Sequence, residues 1–132
     1  MIDLHYNLTP SVEIPPDNNR TTIPNGVGVD TKNPACHGVL FVFNLNGVTN
    51  GTFTFRIEES SDGTTWTTVA AANLIGTAPT WDSTSGSNQT AKVGYVGTKR
   101  YVRAAGTVTG SPATGGKFSA LALKLPGALA AA

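Results

Sequence analysis

From Gly38 to Val69 the chain reads GVLFVFNLNGVTNGTFTFRIEESSDGTTWTTV, and its apolar and polar positions largely follow the two-residue period of extended backbone. Phe53, Phe55 and Ile57 alternate with Thr52, Thr54 and Arg56, as in a strand with one face in a core and the other in water. Val39 to Leu45 is apolar on both faces, which is expected deeper in a sheet. Asn50-Gly51 and Asp62-Gly63 interrupt the pattern with residues that tolerate positive φ. Trp66 and Val69 resume it. The stretch predicts three consecutive antiparallel strands joined by two tight turns.

The same period recurs further on. Gln89 to Val96 places Ala91, Val93 and Tyr95 on one face. Gly97-Thr98 turns the chain, and Lys99 to Val108 returns with Tyr101, Arg103 and Ala105 alternating against Val102 and Ala104. In the last strand, Lys117 to Leu125, Phe118, Ala120, Ala122 and Lys124 share one face, and Ser119, Leu121, Leu123 and Leu125 the other. Ala70 to Gly76 predicts a short strand or a single helical turn. Thr77 to Asn88 predicts a loop whose Trp81 plugs the rim of the core. No convincing helical period occurs. Six or seven strands at spacings of roughly 8–15 residues predict an all-β fold, an antiparallel β-sandwich of Ig-like or jelly-roll-like type.

Residues 1–34 differ from the rest. Five of the eight prolines fall here, among Asn, Asp and Thr. Ser11–Ile14 and Gly26–Val29 could each form a short strand, but Pro15-Pro16 is confined to an edge or lies outside a sheet. Two readings stand: an extended Pro-rich N-terminal arm that lies across a neighbour, or a meandering lead-in packed on its own domain. With the arm reading, residues 35–125 form the sandwich and residues 126–132 an Ala-rich tail.

Composition fits strands and turns, with 19 Thr and 15 Gly in 132 residues and only 13% charged positions. The start lacks the basic and apolar regions of a signal peptide, and no stretch approaches the roughly 18 apolar residues of a membrane span. Synthesis in a cytoplasm is expected, and the single cysteine, Cys36, agrees with that. Net charge is +1, but all eight acidic residues lie at or before Asp82, and the last 50 residues carry six cations and no acid. This asymmetry favours electrostatic docking between copies or onto an acidic surface. Glu58, Glu59, Asp62, Lys99, Arg100 and Lys117 are the candidate intersubunit contacts, because they fall at strand ends and turns.

Candidate chemistry is sparse. Glu58 and Glu59 are neighbours on a strand and point to opposite faces, so they form no catalytic pair. Glu59, Asp62 and Asp82 lack calcium-ligand spacing, and Cys36-His37 with the distant His5 falls short of a zinc set. Ser60-Ser61-Asp62-Gly63-Thr64-Thr65-Trp66 is similar to the Asp-box turn of propellers, but it occurs once and its Asp and Gly are adjacent. Lys99-Arg100-Tyr101-Val102-Arg103 splits its cations between two faces and makes a poor phosphate track. The chain is expected to be no enzyme, to need no cofactor or metal, and to bind neither nucleic acid nor membrane.

Three stretches together resemble a known family. They are Gly38 to Asn44 followed by Gly47 to Phe55, then Glu59 to Trp66, then Lys92 to Arg103. In this order they are similar to small virion structural proteins of tailed bacteriophages, encoded near the major capsid protein, across roughly residues 30–125. The chain departs from that pattern in ending Leu-Pro-Gly-Ala-Leu-Ala-Ala-Ala, where many members have a Gly/His/Pro-containing tail. The resemblance implies a capsid decoration (cement) protein on the exterior of a phage head. Its partners would be the major capsid protein and copies of itself, as a dimer or trimer. A carbohydrate-binding or adhesion module of a phage tail, with Trp66 and Trp81 as the aromatic platforms, and a head-tail connector component are the alternatives.

Overall fold

The computed structural model describes residues 4–32 and 35–126. A helical turn α1 (Leu4–Asn7) precedes ten strands: β1 (Thr9–Ile14), β2 (Val29–Asp30), β3 (Cys36–Val48), β4 (Thr52–Ser60), β5 (Thr67–Thr68), β6 (Leu74–Ile75), β7 (Thr80–Trp81), β8 (Gln89–Tyr95), β9 (Tyr101–Thr109) and β10 (Gly116–Pro126). A 3₁₀ turn at Ala71–Asn73 leads into β6, so the segment from Ala70 to Gly76 holds both elements between which the sequence left a choice. No helix among the described residues is long and apolar enough to cross a membrane.

The strands form two antiparallel sheets packed as a sandwich. The first runs β1-β10-β3-β8-β6 and the second β2-β9-β4-β5, with β7 also pairing β4. Pairing is nested: β1 with β10, β2 with β9, β3 with β8, and β4 with β5. That is a long hairpin rolled into two layers, the jelly-roll alternative of the predicted sandwich. Its consequence is that every link between consecutive strands except β4–β5 crosses from one sheet to the other.

This corrects the expected local meander. β3 and β4 run antiparallel through the Asn50-Gly51 turn, but they are not hydrogen-bonded to each other. β3 pairs with β10 and β8, and β4 with β9, β5 and β7. The turn is still where it was predicted, with Gly51 at φ 85°. It is an arch between layers, because β3 is apolar on both faces and sits at the centre of its own sheet. The Gln89–Val108 pair behaves alike, with β8 in one sheet and β9 in the other. Asp62-Gly63, with Gly63 at φ 78°, joins β4 to the segment leading to β5 and does connect paired strands.

Packing explains why the layers hold. Phe41, Phe43, Val93, Ala120 and Ala122 from the first sheet meet Phe53, Phe55, Ile57, Val102 and Ala104 from the second, all buried. Phe55 is the hub: its ring lies 5.2 Å from Phe43, 5.3 Å from Phe118 and 5.4 Å from Trp81. Burying each large apolar side chain contributes about 1.5–3 kcal/mol, and tilted ring pairs add to this. Trp81 is indeed the predicted plug, 6% exposed on the short strand β7.

Two short strands within residues 9–32 join this core. β1 is an edge strand of the first sheet and β2 of the second, and Ile14 and Val29 lie in the interior. A β-bulge between Val12 and Ile14 turns both Glu13 and Ile14 inward. Pro15-Pro16 follows directly after β1, outside the ladder, as the missing amide requires. β1 and β2 thus pack on the chain's own sheets, while residues 15–22 between them are almost all exposed. The Ala-rich segment after Pro126 lies outside the described residues.

Candidate interaction surfaces

The predicted contact residues are mostly engaged within the chain. Glu58 stands on the outer face of β4 between two arginines: Arg103 of β9 donates to Oε2 at 2.8 Å and Arg56 to Oε1 at 3.0 Å. Burial pushes the Glu58 carboxyl up, but the two guanidinium groups outweigh it and hold it below the ordinary glutamate range. Arg103 also covers the Trp66 ring at 4.3 Å, and Arg56 reaches Thr107 Oγ1. Glu59 lies on the opposite face of β4, where the Tyr95 hydroxyl of the first sheet donates to it at 2.7 Å. The Tyr95 phenol is pushed up by burial first and by Glu59 second.

Asp62 closes its turn. Its Oδ1 accepts from the amides of Thr65 and Thr64 and from the Ser60 hydroxyl, which hold its carboxyl well below the usual range. Arg100 is bidentate to Asp30 at 3.0 and 3.2 Å, a clasp between β2 and the start of β9. Asp30 titrates at about 2 as a result of that Arg100 bond and of the Lys32 amide. Lys124, on the inward face of β10, donates to the Asp30 main-chain oxygen at 2.6 Å and ties the two sheets at the same end. Lys99 is exposed and reaches only the Ser61 hydroxyl, at 3.3 Å. Lys117 is exposed and makes no ion pair among the described residues. Of the six candidates, Lys99 and Lys117 have cationic heads not committed to an acid.

The aromatic platforms are likewise taken up. Trp81 is buried, and one face of Trp66 is covered by Arg103. At one end of the sandwich an open groove of about 400 Å³ is lined with amides and hydroxyls, including Asn44, Asn46, Asn88, Gln89 and Ser119. Among the described residues no group of three or more His, Cys, Asp or Glu side chains is placed to hold a metal ion.

The outer face of the first sheet presents a different surface. Register puts Pro10, Leu123, Leu40, Gly94 and Ile75 in one row across all five strands. Val12, Leu121, Val42 and Lys92 form the next row, and Leu125 lies beside Gly38 on the other side. Leu40, Val42, Leu121, Leu123 and Leu125 are half-buried only, and Val12, Val96 and Ile75 are 55%, 50% and 67% exposed. Between them runs an almost wholly apolar groove of about 270 Å³, lined by Leu8, Leu40, Gly94, Val96, Leu123 and Leu125 among others. The signal was present in the sequence, in Leu121, Leu123 and Leu125 on one face and in β3 apolar on both. Two apolar faces read as depth in a sheet, where the fold leaves one of them open.

No family model matches the chain, and no curated protein does. Among solved structures, the PBSX exported protein XepA superposes with a TM-score of 0.60 at 18% identity, over 94% of this chain and 39% of that one. The protein thus spans about two-fifths of XepA's length and shares the fold of that part.

Proposed function

We propose that the protein is a structural component of a phage virion, and within it a non-enzymatic capsid decoration (cement) protein bound to the exterior of the head. The carrying observation is the division of its surface. Most of the ionised side chains singled out at strand ends and turns close the protein on itself, whereas the larger part of one sheet face is apolar and left open by the described residues. A shell protein needs that division: a rigid two-layer body and contact area for neighbours. The resemblance of residues 30–125 to tailed-phage virion proteins supplies the setting, and the fold shared with XepA is compatible with it. On a lattice, many identical weak contacts of this sort multiply into firm attachment. Phage particles lacking the protein are expected to have the same heads but to rupture at lower temperature and milder osmotic shock. Density for the sandwich on the head exterior in a virion reconstruction is the companion observation. Unchanged particle stability together with density only at the tail would overturn the reading.

The amide-lined groove gives the adhesion alternative its one support, since amides and hydroxyls match sugar hydroxyls. Its expected aromatic platforms are occupied or buried. Retention on a glycan array, lost in Gln89→Ala, would favour that alternative.

A further inference from the structure

We infer that the outer face of the first sheet is a self-association surface, covered in solution by a second copy of this chain. The inference supplies the self-contact within the virion reading and rests on it for its setting.

Among the described residues no element covers this face, although its chemistry is that of a surface inside a layered sandwich. Its two central rows carry Pro10, Leu123, Leu40, Gly94 and Ile75, then Val12, Leu121 and Val42, and Lys92 at the β8 end is their one charge. A single cation gives no handle for nucleic acid or an anionic lipid surface, which needs many. A nearly uncharged, two-residue-period surface is complementary instead to another pleated apolar face, stacked at about 10 Å.

Shape points to the same occupant. The glycines Gly38 and Gly94 flank Leu40, so the groove of about 270 Å³ lies beside a ridge of Leu40, Val42 and Leu121. Ridge and groove on a single face are what an isologous contact requires, because each copy offers both halves. Four strands about 4.8 Å apart with about five residues of each at 3.4 Å, and the two residues of β6, give a face of about 350 Å² per copy. A standard interface takes about 800 Å² per partner. α1 stands next to Leu8 at the rim, with Leu4 64% and Tyr6 71% exposed, and extends the apolar area. Even so enlarged, the area is below that of a standard interface and is that of a weak pair, suited to strengthening by a lattice.

The test is the mass of the purified full chain by sedimentation equilibrium up to several hundred micromolar. The wild type is expected to show a concentration-dependent multiple of the monomer. Leu123→Lys, at the centre of the face, and the exposed Ile75→Glu and Val96→Glu are expected to remain monomeric, at least ten-fold weaker in association. Thr54→Glu, on the outer face of the second sheet, is expected to associate like wild type. Circular dichroism and melting identify any variant that fails to fold; the two exposed sites then decide the matter. A monomeric wild type at every concentration overturns the inference, and so does association unaffected by Ile75→Glu and Val96→Glu or abolished equally by Thr54→Glu. Because the measurement uses no phage, a self-associating protein absent from virions would overturn the virion reading alone.

Discussion

Glu13, in the first strand of one sheet, accepts a hydrogen bond from the main-chain amide of Ala104, in the penultimate strand of the other, at 3.2 Å. Its second oxygen accepts from the Gly28 amide, also at 3.2 Å, and the side chain is 1% exposed. Gly26 is required beside it, since a Cβ there would collide with Glu13 Oε2 and with the Ala104 main-chain oxygen. One carboxylate thus joins β1, the segment before β2, and β9.

Glu13→Ala is expected to lose about 1–3 kcal/mol, because the buried amides of Ala104 and Gly28 are then both left unsatisfied. Burial raises the Glu13 pKa against the pull of those amides. A carboxyl with a raised folded pKa contributes stability that is fully present below its unfolded value near 4.5 and lost as pH rises through the folded value. The cost of the substitution should therefore be greatest in acid and shrink towards neutrality. Urea denaturation of both proteins across that range measures it; a cost growing with pH would contradict the assignment.

How much of this was legible follows from what a single strand can disclose. Alternation at Phe53, Phe55 and Ile57 and the glycines Gly51 and Gly63 marked strands and turns where they occur. Turn residues say that the chain reverses, not whether the flanking strands stay hydrogen-bonded. The β3–β4 arch was therefore read as a hairpin. The arrangement depends on partners 60 or more residues away, such as Phe118 opposite Leu45. Glu13 carried no signal at all: in Ser11-Val12-Glu13-Ile14 a glutamate reads as solvent-facing, and only the bulge and the distant amides make its burial possible. The candidate contacts at Glu58, Glu59 and Asp62 were visible as exposed-type residues at strand ends, but their intramolecular partners were not.

Glu58 gives the opposite pH dependence. Its folded pKa is lowered, as are those of Asp30 and Asp82, so their stabilisation is present above the ordinary carboxylate range and lost as pH falls through the folded values. The protein should lose stability between about pH 4 and 2. Glu58→Gln should flatten that fall and cost about 1–3 kcal/mol at neutral pH, where Arg103 and Arg56 lose their shared partner. Thermal melting at stepped pH measures both effects.

Ile14 tests whether the N-terminal residues are part of the core. It is fully buried at a bulge in an edge strand. Ile14→Ala is expected to cost about 2–5 kcal/mol. Deletion of residues 1–30, which removes β1 and β2 and bares the edge of β10, is expected to give insoluble protein. A folded, soluble deletion variant with unchanged melting would show instead that these residues are an appendage.

Charge reversal at exposed lysines separates docking from folding. Arg100 holds Asp30 by two hydrogen bonds, so Arg100→Glu places two carboxylates side by side and is expected to loosen β2 from β9. A loss of head binding by that variant would carry no information about an interface. Lys99 and Lys117 are suitable, being exposed and unpaired with any acid among the described residues. Under the virion reading, Lys99→Glu with Lys117→Glu should leave melting unchanged and slow attachment to heads at low salt. Such rim charges act over about 8 Å at physiological salt and contribute about 0–1 kcal/mol each, so they alter association rate more than final occupancy. Raising the salt should bring the two proteins together, by slowing the wild type. Equal attachment rates at low salt would assign Lys99 and Lys117 no part in docking.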